Sequence, residues 1–324
     1  EVNQIDFETV IRDKEFALAN IRDLDFINLN KIGSFGVGGG GLAALIMQMR
    51  NFDIEAVAGL AGWNINRDQL EFVEQNPHFT FNRMDKPLLQ VYYEDDRLFD
   101  LSLIDSIKYS NRYMLKLASA PAGGFTCYPA IQSYMDTTNV TKTISRPNYD
   151  LTGLYILNFF QASLTGDETG RSFIENVSSD KASFEFIKGM DLPPTPDQFV
   201  RIIRSQGGKK AVELYRKFEE SDPGSITFQE AIINFFGYQA LQQGQNDDAI
   251  ALFKLNADTF PNSANCWDSY SDGLQAIGDN AGALECYRKV LEVLPVDTTA
   301  GDQLRETLKA NAETGIERLS NESN

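Results

Sequence analysis

Along the first part of the chain, apolar residues gather in short, nearly unbroken runs such as KIGSFGV and KPLLQVYY, separated by stretches in which they recur every three or four positions. Unbroken runs of this length suit strands buried on both faces, and the wider spacing suits helices packed upon them. The pattern predicts helices near residues 7–23, 40–50, 67–75, 128–135 and 150–164, with strands at 31–36, 54–60, 87–93 and 112–118. Strands alternating with helices specify a parallel sheet covered on both faces.

The period changes at LPPTPDQF, a proline-rich joint beginning at Leu192. Beyond it the spacing is helical, with almost no strand-like alternation. Gly244, Ala249, Phe253 and Pro261 recur as Gly278, Ala283, Tyr287 and Pro295, each displaced by 34 residues. In such a repeat the glycine turns between antiparallel helices, the alanine lets their backbones approach, the aromatic fills the gap and the proline stops the second helix. A looser copy upstream places Ala211, Tyr215 and Pro223 at an offset of 38 residues. A polar helix over about 298–320 is expected to close the stack. The expected fold class is therefore α/β plus all-α, with a partial sheet domain over 1–192 and helical repeats over 193–324.

Charge narrows the partners. A net charge of -17 opposes both nucleic acid and anionic membrane surfaces. Apolar runs such as LTGLYILNFF fall short of the ~20 residues of a membrane span. Cys127, Cys266 and Cys286 lie far apart, without the spacing of a zinc site or a disulfide framework. No metal and no cofactor is expected, because the glycine run 38–41 matches neither a P-loop nor a dinucleotide fingerprint. The first residue, Glu1, raises the expectation that a segment was removed upstream. The triplets at Asn139 and Asn176 match glycosylation acceptors, a pattern frequent by chance at this length.

The stretch FGYQALQQGQNDDAIALFKLNADTFPNSANCWDSYSDGL resembles the short tetratricopeptide appendage behind many bacterial serine hydrolases and beta-lactamase-like proteins, a resemblance spanning residues 193–295. It implies helical pairs that pack or space other parts and offer protein contacts. An extracytoplasmic, periplasmic location is the expectation that goes with it.

The stretch DLDFINLNKIGSFGVGGGGLAALIMQMRNFDIEAVAGLAGW resembles the alpha/beta-hydrolase segment of dienelactone-hydrolase and acetylhydrolase relatives, where a strand leads into a nucleophile elbow and a helix. Gly40, Gly41, Ala43 and Ala44 fix the register. Gly36 then stands at the first motif glycine, Gly38 at the nucleophile and Gly39 at the residue after it. An elbow exists to hold a reactive side chain, and glycine supplies none. Ser34 falls inside the predicted strand, two positions before the motif begins.

The resemblance also implies a base, commonly as H-x-x-F after the last strand, but in LASAPAGGFTCY the matching position is Ala122, three before Phe125. The one histidine, His78, lies upstream of the acid-bearing strand. An acid survives, since PLLQVYY runs into Asp95 and Asp96, where the third triad member belongs. The vestigial positions are thus Gly38, Gly39, Asp95, Asp96 and Ala122. These residues imply a binding or scaffold component without catalytic machinery. The alternative is an esterase or other acyl hydrolase whose nucleophile and base are altered or supplied elsewhere. In the family the nucleophile strand lies mid-sheet. The strand around Gly33–Gly36 is therefore expected at an edge that an upstream segment or a partner protein covers.

Overall fold

A computed structural model of the chain describes residues 4–61, 80–93, 101–118, 125, 131, 135, 140–176 and 182–322. The chain divides into two compact units, Glu1–Leu192 and Pro193–Asn324.

The first unit is built on a sheet of five strands in the order β1 (Ile32–Val37), β2 (Ile54–Leu60), β3 (Leu88–Tyr93), β4 (Arg112–Leu117) and β5 (Ala182–Ile187). β1 to β4 are parallel, whereas β5 runs antiparallel to β4 with Leu117 opposite Ala182. The sheet is therefore mixed, a correction to the all-parallel expectation, and β5 is a strand that expectation lacked. Helices α1 (Gln4–Arg22), α2 (Gly39–Arg50) and α3 (Ser102–Ser106) bury Ile11, Leu45 and Ile104 with Ile54, Leu88 and Met114 in one core. A second core sets Tyr155 and Phe159 of α4 (Val140–Thr165) and Ile174 of α5 (Glu168–Glu175) against Ala56, Ala58, Leu89 and Leu115. Full burial of a large apolar side chain contributes about 1.5–3 kcal/mol, so the two cores hold both faces of the sheet.

Helix α4 begins about ten residues before the expected 150. Pro147 lies within it, where the absent N–H removes one backbone bond without ending a 26-residue helix. The helices expected near 67–75 and 128–135 fall outside the described residues, apart from 131 and 135, which are helical.

The second unit is helical throughout: α6 (Pro196–Gln206), α7 (Gly208–Ser221), α8 (Glu230–Gln242), α9 (Asn246–Thr259), α10 (Ala264–Ala276), α11 (Asn280–Val293) and α12 (Asp302–Glu322). The proline-rich joint starts it, since Pro196 opens α6 and Thr195 with Gln198 forms a reciprocal capping box. The 34-residue repeat is a pair of helices, α8 with α9 and α10 with α11. Gly244 and Gly278 turn between the partners with φ of 72° and 77°, a conformation that favours glycine. Ala249, Ala283, Phe253 and Tyr287 are buried between the helices. A Cβ on Gly237 would lie 2.4 Å from the Phe253 ring, so this close packing requires glycine. α12 lies along α11, and its Arg305 donates to the carbonyls of Leu294 and Asp297 just beyond the α11 end.

Candidate functional site

The β1–α2 turn is shaped entirely by backbone. A Cβ on Gly36 would fall 2.1 Å from the Gly40 carbonyl oxygen, so strand and helix can meet this closely only at glycine. Gly38, the N-cap of α2, has φ 54° and ψ −129°. That conformation is strained for any residue with a side chain. Its N–H donates to the Leu60 carbonyl at 2.9 Å, and its own carbonyl accepts from Gly41 at 2.9 Å. At Gly38, Gly39 and Gly40 an added Cβ would meet no described atom within 4 Å. The turn thus presents no side chain, and no described residue crowds it. Ser34 is half-buried on β1, and the next residue on its face, Gly36, abuts α2.

Gly38, Ala61 and Tyr93 stand at or just beyond the carboxyl ends of β1, β2 and β3, the end where open parallel sheets bind ligands. Ala61 has φ 47° and is the one non-glycine with positive φ among the described residues. Its N–H donates to the Val91 carbonyl at 2.8 Å. Nothing in the sequence around Ala61 marks this strain. Tyr93 stacks on Phe125 with centroids 4.3 Å apart and rings 14° from parallel. The loop after β4 therefore returns to the end of β3. The Tyr93 hydroxyl is buried and has no hydrogen-bond partner among the described residues, and burial pushes its pKa up. Asp95, Asp96 and Ala122 lie outside the described residues, as do His78 and Cys127. Of the five vestigial positions, Gly38 and Gly39 can accordingly be located, side by side in the turn.

Among the described residues β1 is an edge of the sheet, paired with β2 alone. Its side chains alternate: Ile32, Ser34 and Gly36 are half-buried, while Phe35 and Val37 are 56% and 36% exposed. The face carrying Phe35 also carries Gly33, which lies under the Phe160 ring of α4. β1 is thus less covered than an interior strand, though its composition is that of one.

The helical unit contains a buried acidic pair absent from the sequence-based expectations. Asp268 and Asp272 occupy successive turns of α10, and the Tyr238 hydroxyl of α8 donates to Asp272 at 2.8 Å. Burial and the Asp272 charge push Asp268 up to about 6, partly opposed by a hydrogen bond from Asn311 of α12. Burial likewise raises Asp272. The signal was present in DSYSD, two acids four apart on a helix whose remaining inward positions are small. Cys266 and Cys286 are buried free thiols, each pushed up to about 12 by burial and so protonated at neutral pH.

Among the described residues no group of three or more His, Cys, Asp or Glu side chains is placed to hold a metal ion, and no helix is long and apolar enough to cross a membrane. No family model matches this sequence, and no curated protein matches it.

Proposed function

We propose that the chain is a protein-binding or scaffold component. In this reading the first unit is a catalytically degenerate part of an alpha/beta-hydrolase-like sheet, and the second is a tetratricopeptide-like array closed by α12. The observation that carries it is Gly38. A turn with this backbone conformation is needed where a side chain must be held at a helix N-terminus, yet the residue has none. Ala122 in place of the base removes the group that would activate a hydroxyl. What remains usable is surface: the β1 edge, uncharged over IGSFGV, and the helical array. The strand that covers β1 comes from an upstream segment or from another protein. An extracytoplasmic, bacterial setting accords with the tetratricopeptide resemblance.

The test is chemical. The full chain is incubated with a fluorophosphonate probe and with p-nitrophenyl acetate. The scaffold reading expects no labelled serine and no turnover above buffer. Stoichiometric labelling of one serine would overturn it in favour of an acyl hydrolase.

A further inference from the structure

The two 34-residue repeats differ in what covers them. On the α8–α9 pair, Ile233, Phe236, Leu252 and Leu255 are buried under α6 and α7 in one core with Phe199, Ala211, Val212 and Phe218. α7 packs along α9 so closely that a Cβ on Gly208 would lie 2.7 Å from the Asp248 carbonyl oxygen. Asp248 also accepts the Lys209 N–H at 2.7 Å, holding the N-terminal end of α7.

Moved forward by 34 residues, those four core positions become Trp267, Tyr270, Cys286 and Lys289. On the α10–α11 pair they line an open groove of about 450 Å³, together with Leu274, Asp279 and Glu285. The helix that lies along α11 is α12, which meets it at Tyr287, and among the described residues α12 contributes none to the lining of this groove. The floor is aromatic and apolar, because Cys286 is protonated and buried. The rim is acidic. Lys289 is engaged by Glu292 at 2.6 Å, whereas no cation among the described residues pairs with Asp279 or Glu285. Burial raises the Cys286 thiol most; Glu285 and Asp279 add to that shift, and Lys254 of α9, itself paired with Asp258, opposes them.

We propose that the α10–α11 groove receives an amphipathic helix of a protein partner, basic beside its apolar stripe, in the way that the equivalent face of α8–α9 receives α7. The apolar stripe covers Trp267, Tyr270 and Leu274, and basic residues meet Asp279 and Glu285. Where α8–α9 has the partly buried Ala251 and the buried Leu255, α10–α11 has Glu285 and Lys289, so this face has the mixed character of an exchangeable interface. The inference is independent of the β1 edge.

The molecule supplies its own probe. Residues 208–221, GKKAVELYRKFEES, are made as a stapled helical peptide that contains no tryptophan. The full chain carries Trp63→Phe, leaving Trp267 as its one tryptophan. Saturable change in Trp267 emission is expected, with affinity lowered about tenfold by Glu285→Lys, an exposed position whose variant keeps the wild-type circular dichroism and Tm. A scrambled, unstapled peptide of the same charge should bind at least about tenfold more weakly. Absence of a saturable change overturns the proposal. So does equal binding by the scrambled peptide, which would mark an unspecific electrostatic contact, or equal binding to Glu285→Lys, which would place the peptide elsewhere.

Discussion

Gly38 donates its backbone N–H to the carbonyl of Leu60 over 2.9 Å, and this bond determines which groups of β1 face outward. Along a strand the N–H and C=O of successive residues point to alternate sides. With Gly38 turned to β2, Gly36 and Ser34 turn the same way. Gly33, Phe35 and Val37 then direct both backbone groups to the open edge. Natural edge strands are blunted by charge, proline or bulges; IGSFGV has no charge and no proline, and its register against β2 shifts once, between Ile32 and Gly33.

Phe35→Pro is therefore a clean probe of the edge. It deletes an outward N–H and leaves the β2 ladder intact, a position where a strand tolerates proline. Retention of whatever protein copurifies with the chain should fall at least about tenfold. Far-UV circular dichroism and the melting of the helical unit should stay unchanged. Undiminished retention would show that this edge is not the interface.

Gly38→Ser should yield no meaningful esterase activity, measured with p-nitrophenyl acetate. No described atom crowds the new side chain, and in the proposed reading Ala122 stands where the base would be, so the hydroxyl stays protonated and weakly nucleophilic. A side chain at φ 54° should also lower stability by about 1–2 kcal/mol, read from denaturant unfolding. Turnover well above buffer would reveal a base elsewhere in the chain.

The Asp268–Asp272 pair makes the helical unit more stable in mild acid. Asp268 has its folded pKa raised from 3.8 to about 6, so its contribution is fully present below the unfolded value and is lost as pH rises through about 6. The groups that face the pair are Tyr238, Ser269 and Asn311, all neutral, and no cation among the described residues offsets it. Tm should be higher at pH 5 than at pH 7.5, with the unit more stable at pH 5 by about 1 kcal/mol. Asp268→Asn should flatten that dependence and stabilise the unit at neutral pH. An unchanged pH profile in the variant would assign the dependence to other groups.

Residues 193–324 expressed alone should be helical, monomeric and cooperatively folded. Their cores are internal to the unit, and α12 covers the last pair. Within that fragment Gly315→Ala should destabilise by about 1–3 kcal/mol, because the new methyl would lie 2.3 Å from the Tyr287 ring. A fragment without cooperative melting would contradict the repeat reading.

What the sequence made legible follows from local chemistry. β1 to β4 were readable because strands buried on both faces are written as unbroken apolar runs. The helical pairs were readable because Gly244 and Gly278, with Ala249 and Ala283, sit at fixed spacing. β5 was not, although ASFEFI alternates, because its antiparallel return to β4 is a long-range pairing that no local pattern specifies. Gly38 and Gly39 could be placed between β1 and α2 from the glycine run. The strain at Ala61 could not, since alanine carries no turn signal. The acidic pair depends on how α8 and α12 pack against α10, and the α10–α11 groove on α7 covering only the preceding pair.

The central claim is that β1 is completed by another strand in the native particle, and amide hydrogen exchange at Phe35 and Val37 tests it most directly. The measurement is made on the protein purified gently from its native source. The account predicts that both amides are as protected as those of Val57 and Ala58 in β2, and that Phe35→Pro removes the protection at Val37. Free exchange at Phe35 and Val37 with β2 still protected would contradict it, because β1 would then be a tolerated open edge and the binding reading of the first unit would fall.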